Sequence, residues 1–240
     1  MKKVVIVGAS RTPMGGFHGE MSQATAPELG GAAIKGAMEN AGVKNDSIDE
    51  VIMGNVLSAG QGQAPARQAS FNAGLSESVP AVTLNKMCGS GLKSVIYAHD
   101  QIKAGTSELV AAGGMESMTN APYISPKMRG GARVGHQQMY DHMFLDGLED
   151  AYEPGRLMGT YAEDTAELFQ FTREQQDEYA IGSLKNALNA QKNDAFDKEI
   201  SPVTIKTRKG DITINEDEQP KNAQPCLLYT SDAADDCRCV

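Results

Sequence analysis

"AVTLNKMCGSGLKSVIYAHDQIKAG", residues 81–105, holds a short apolar run, a lone cysteine, a glycine-rich turn and apolar residues at helical spacing. "AVTLN" has the β-branched character of a strand. "GLKSVIYAHDQIKAG" reads as a helix that stops at Gly105. A strand handing over directly to a helix is the unit of crossover α/β architecture. Cys88 falls between the two, near the helix N-terminus and at the carboxyl end of the strand, where open α/β sheets place ligands. Unpaired N–H groups and the helix dipole favour negative charge there, hence thiolate over thiol. Gly89 and Gly91 permit a sharp turn and the close approach of another backbone or a substrate. A buried cysteine acting as a small hydrophobe suits the same position, and location alone leaves both readings open.

Reading outward, the same alternation recurs on both sides. "KKVVIVGA" (2–9) is a β-branched run fit for a first, buried strand, and "APELGGAAIKGAMENAG" (26–42) a helix with Gly42 as its stop. "IDEVIMGNVL" (48–57) reads as a strand, "APARQASFNAG" (64–74) as a helix closed by Gly74, and "ELVAAGGMESM" (108–118) as a further strand. Such alternation predicts a mainly parallel sheet covered by helices.

Near Asn120 the rhythm breaks. Residues 121–144, "APYISPKMRGGARVGHQQMYDHMF", have no sustained period, as expected of a functional or interface loop. Helical spacing returns in "TYAEDTAELFQ" (160–170) and "TREQQDEYAIGSLKNALNAQKN" (172–193), the latter opened by a Thr172–Gln175 capping box. A strand pair, "SPVTIKT" (201–207) and "GDITINE" (210–216), is joined through Lys209-Gly210. Residues 1–119 therefore read as an α/β core and 120–225 as an inserted, mostly helical region. "CLLYTSDAADDCRCV" (226–240) changes composition abruptly and reads as an unrelated or read-through tail.

Composition excludes several functions. The 240 residues carry a formal charge of −9, which argues against binding a phosphate backbone, so no nucleic-acid partner is expected. No apolar run approaches the roughly 18 residues of a membrane span, so no membrane partner is expected. Cys88 is the only cysteine before Cys226, Cys237 and Cys239, which suits a reducing compartment and a cytoplasmic location. A thiol redox role lacks a nearby Cys-x-x-Cys partner. Met128, His136, Met139 and His142 are soft donors whose spacing fits no standard ligand set, so no metal is expected. "GASRTPMGG" (8–16) is neither a dinucleotide fingerprint nor a Walker A loop. Nothing marks His18 or His99 as a base for Cys88, and His99 is expected to face partly outward.

"NKMCGSGLKS" (85–94) resembles the nucleophile motif of the thiolases, the family of acetyl-CoA acetyltransferases and 3-ketoacyl-CoA thiolases. "VVIVGASRTPMGGFHGEMS" (4–22), "GNVLSAGQGQAPARQASFNAG" (54–74), "AAGGMESMTNAPY" (111–123), "LMGTYAEDTAE" (157–167) and "TREQQDEYAIGS" (172–183) resemble further family segments, so the likeness runs over residues 1 to about 225. It implies a thiolase-like N-terminal half, a mixed, mostly parallel sheet covered by helices, with an inserted, mostly helical loop domain. That domain would serve CoA binding and oligomerisation.

The resemblance also implies roles. Cys88 would be the nucleophile that holds the acyl group of a CoA thioester, its backbone N–H helping to bind the oxyanion. Leu148 and Met158 match positions that pack on the CoA pantetheine arm, and Lys221 falls near a basic contact to the nucleotide. Leu157 stands where some biosynthetic members have histidine. The implied activity is Claisen condensation of acetyl-CoA, or thiolysis of a 3-ketoacyl-CoA, as in fatty acid metabolism. It needs CoA thioesters as substrates and no permanently bound cofactor. The parent protein would be a homodimer or homotetramer. The family's second half, with a Gly-His-Pro histidine and a Cys-Gly-Gly acid/base cysteine, has no counterpart in these residues. The 240-residue chain is thus expected to be a truncated, inactive form; the alternative is a non-catalytic fragment that at most binds CoA weakly.

Overall fold

The computed structural model describes residues 3–208 and 210–223. The tail assigned to 226–240, its three cysteines and Lys209 lie outside the described residues.

The centre is a three-stranded parallel sheet in the order β2-β1-β3, made of β1 (Glu50–Gly54), β2 (Ala81–Leu84) and β3 (Val110–Gly114). The register runs Val51 to Ala81 and to Ala111, and Gly54 to Leu84 and to Gly114. Three helices supply the crossovers and cover: α1 (Ala26–Ala41), α2 (Pro65–Asn72) and α3 (Ser90–Ala104). The α1 helix begins at a Thr25–Glu28 capping box and ends at Gly42 in the left-handed conformation. Strand alternation assigns the two faces. Val51 and Met53 point into a cluster with Ile34 and Met38 of α1 and Ala66 and Ala69 of α2. Gly54 faces the first turn of α3 instead.

The run at 3–9 corrects the sequence reading. It forms no strand, and Val5, Ile6 and Val7 are 59%, 80% and 55% exposed. A β-branched run becomes a strand only where a neighbour offers a hydrogen-bonding edge, and no described strand pairs with this one.

After β3 the chain enters an irregular stretch with a two-residue antiparallel pair, β4 (Tyr123–Ile124) and β5 (Tyr140–Asp141). A π-helix at Phe144–Leu148 follows, then α4 (Met158–Leu168) and α5 (Arg173–Lys192). The capping box read at Thr172–Gln175 is present. A hairpin of β6 (Val203–Thr207) and β7 (Gly210–Ile214) leads to the short α6 (Glu218–Asn222). The hairpin packs Val203, Ile205 and Ile214 on Met21 and Ala24. Arg11 forms a two-pronged ion pair with Asp217 at 2.7 and 2.9 Å, and its Nε donates to Glu199 at 2.6 Å. Among the described residues no helix is long and apolar enough to cross a membrane.

Candidate active site

Cys88 is exposed and lies one residue before the N-cap Gly89 of α3. Contacts made within the turn fix its place. The Asn85 side-chain oxygen accepts from Met87 N–H at 2.9 Å, an Asx turn that starts the bend. Met87 sits at φ +48°, a conformation costing a side-chain-bearing residue about 1–2 kcal/mol. The buried Ser90 hydroxyl offsets that cost. It accepts from Lys86 N–H at 2.8 Å and donates to the Met87 carbonyl at 2.6 Å, using its one proton and one lone pair. Cys88 is thereby carried outward on a short, strained turn.

The helix behind it is seated by small residues. A Cβ on Gly54 would stand 2.6 Å from the Ser90 carbonyl carbon, and one on Gly114 would stand 3.2 Å from Gly91 Cα. Only hydrogen at these two positions lets the first turn of α3 rest on the ends of β1 and β3. The Ser94 hydroxyl, within 2.7 Å of the Gly113 carbonyl, ties the second turn to β3. The sequence signals Gly89 and Gly91 are present, but Gly54, Gly114, Asn85 and Ser90 do as much of the positioning. Sequence reading passed over all four, although glycine at a strand's carboxyl end was a usable sign.

A second group of polar residues lies beyond the ends of β1 and β3. The Glu116 carboxylate accepts from Val56 N–H (2.9 Å), Leu57 N–H (3.0 Å) and the buried Asn55 amide (2.8 Å). Burial pushes the Glu116 carboxyl up from its ordinary range, more than these donors pull it down.

Leu148 and Met158 are brought together. The π-helix ends on Leu148, the next residue Glu149 bridges Leu157 in antiparallel fashion, and Met158 follows at the start of α4. The loop between them is closed by Asp150, which pairs with the Arg156 carbonyl through its N–H at 2.8 Å. Lys221 is elsewhere. It lies on α6 in an ion pair with Glu20 at 3.1 Å, and no described contact joins it to Leu148 or Met158. His18 lies against Phe17 with ring centroids 4.2 Å apart and ring planes tilted by 58°, and His99 pairs with Asp100 at 3.0 Å. No described contact joins an imidazole to Cys88.

Comparison with known proteins gives the chain's family. Residues 4–225 match the family described as "Thiolase, N-terminal domain". An acetyl-CoA acetyltransferase of Cupriavidus necator is 52% identical over 211 residues, covering 88% of this chain and 53% of that protein. One from Schizosaccharomyces pombe is 48% identical over 222 residues, covering 92% and 56%. One from Pseudomonas aeruginosa is 46% identical over 222 residues, with the same coverage. The chain thus spans about half the length of the curated relatives it matches. With the family's N-terminal domain matched over residues 4–225, nearly the whole chain, the chain belongs to the thiolase family.

Proposed function

We propose that the chain carries the acyl-accepting centre of a thiolase. The Cys88 thiolate attacks the carbonyl of a CoA thioester, the new sulfur–acyl bond forms as the old one breaks, and CoA leaves as its thiolate. The Cys88 backbone N–H is assigned to the oxyanion of that step. Leu148 and Met158 serve as a platform for the pantetheine arm, with Lys221 a more distant contact for the nucleotide. In the whole protein a second acetyl-CoA then condenses with the acyl group, or CoA cleaves a 3-ketoacyl-CoA in the reverse sense. The acetyl-CoA acetyltransferase names of the relatives support a two-carbon acyl donor. We place the whole protein in the cytoplasm, as a homodimer or homotetramer, on cysteine usage and the family resemblance. The 240 residues alone accept an acyl group without turning over, because no described imidazole contacts Cys88 to move protons for the second step.

The exposed sulfur on a strained turn, at the start of α3 and over the ends of β1 and β3, carries this reading. Incubating the chain with acetyl-CoA, followed by peptide mass spectrometry, tests it. Acetylation is expected at Cys88 and is absent from the Cys88→Ala chain. A thiol that reacts with iodoacetamide but takes no acetyl group from acetyl-CoA overturns the reading.

A further inference from the structure

His142 is 6% exposed and sits at the seam between the loop that follows β1 and the π-helix that ends in Leu148. Its backbone N–H donates to the Pro122 carbonyl at 3.1 Å, which fastens it to the residue before β4. Ala59 N–H donates to ring Nε2 at 3.3 Å, while Nδ1 lies 2.6 Å from an Asp146 carboxylate oxygen. A backbone N–H can only donate, so Nε2 must keep its lone pair. The single ring proton then belongs on Nδ1, directed at Asp146. The neutral Nδ1–H tautomer is the one state that satisfies both contacts. Beside the ring the two segments meet closely: a Cβ on Gly147 would lie 3.2 Å from the Leu57 side chain.

We infer that His142, as its neutral Nδ1–H tautomer, is a positioning residue for the CoA thioester site. It locks the segment bearing Leu148, and through the Glu149–Leu157 bridge Met158, onto the loop after β1. The ring itself does not touch the ligand. The inference rests on the reading of Leu148 and Met158 as the pantetheine platform. Protonation of Nε2 would set one N–H against another at Ala59 and release the lock. The ionisable groups near the ring are Asp146 on the π-helix and Glu116 after β3, whose carboxyl would be drawn to a protonated ring; among the described hydrogen bonds the β1 loop contributes the Ala59 N–H and the β4 side the Pro122 carbonyl.

Bromoacetyl-CoA tests this, because the Cys88 thiolate displaces bromide and forms a thioether with no further reagent. Its saturation kinetics separate binding from reaction, and iodoacetamide, lacking the CoA part, reports on Cys88 alone. In His142→Asn, which keeps the Asp146 contact and is too short for Ala59, the half-saturating concentration should rise about tenfold, the worth of one buried hydrogen bond. In His142→Gln the side-chain oxygen reaches Ala59 N–H and cannot titrate. On acidification an added ring proton would displace the Ala59 donor, so the wild-type half-saturating concentration should rise while that of His142→Gln stays level. The comparison of wild type with His142→Gln stands even if His142→Asn does not fold. The same pH response in His142→Gln assigns it to Glu116 or to CoA and overturns the inference. So does a loss in His142→Asn that iodoacetamide shows equally. Wild type that never saturates removes the CoA platform as well, whereas saturation that is indifferent to both variants removes only the role of His142.

Discussion

Gly54→Ala isolates the contact that seats α3, the helix that follows Cys88. The added Cβ would stand 2.6 Å from both the carbonyl carbon and the Cβ of Ser90, and 2.7 Å from Gly91 N. Two of these three atoms are backbone in the first turn of α3, so no flexible side-chain end can move aside. Either the end of β1 or the start of α3 must shift, and each is held: β1 pairs on both sides, and α3 is tied through Ser94 to β3. Overpacking a fixed site costs about 1–3 kcal/mol. At roughly 2–4 °C per kcal/mol for a chain of this size, the melting temperature should fall by about 2–12 °C. The shift also moves Cys88, so its alkylation by iodoacetamide should change as well. Gly182→Ala is the control. That glycine lies within α5 with nothing within 4 Å of an added Cβ, so alanine should stabilise by about 0.5–1 kcal/mol and leave Cys88 unaffected. If Gly54→Ala melts within about a degree of wild type and alkylates at the same rate, the close seating of α3 on β1 is wrong.

Two further outcomes follow from the clasped turn and the Arg11–Asp217 ion pair. Ser90→Ala removes the hydroxyl that pairs Lys86 N–H and the Met87 carbonyl, so Met87 should relax from φ +48°. Cys88 should then react with iodoacetamide at a changed rate while circular dichroism shows α3 intact; an unaltered rate refutes the clasp. Asp217→Asn should destabilise the chain by about 1–3 kcal/mol at neutral pH, since Arg11 loses a charged partner. Burial pushes the Asp217 carboxyl up, but the Arg11 guanidinium and Met14 N–H outweigh it and hold it below its ordinary value. A depressed carboxyl stabilises the fold above its unfolded value, and the contribution is lost as pH falls through the folded one. The gap in melting temperature between wild type and Asp217→Asn should therefore narrow below about pH 4. A gap that widens with acid contradicts the assignment.

What could be read in the sequence were the elements whose causes are local. The helices announce their ends through Gly42, Gly105 and the Thr172–Gln175 box, each acting within four residues of itself. The three strands of the central sheet are short apolar runs beside a helix pattern. The run at Val5–Val7 carries the same local signal and forms no strand, because pairing depends on a distant edge that composition cannot show. Distance in sequence also hides the polar contacts: Arg11 meets Asp217 across 206 positions and His142 meets Ala59 across 83. His142 sits in a Met-rich loop whose donor spacing fits no standard ligand set; only folding reveals it as an acceptor for a backbone N–H.

The cysteine's setting was legible, while the means of holding it was not, and α3 shows why. A surface helix normally turns its larger apolar side chains toward the sheet. Here the buried positions are Ser90, Ser94 and Ala98, one per turn, while Leu92, Val95, Ile96 and Tyr97 stay exposed. Periodicity alone would have seated the wrong face on the sheet. Small side chains at the contact are what let the helix approach closely enough for its first turn to lie between Gly54 and Gly114. In this chain, close backbone approach beneath Cys88 therefore outweighs the burial of larger side chains, which remain on the outer face of the helix that follows the cysteine.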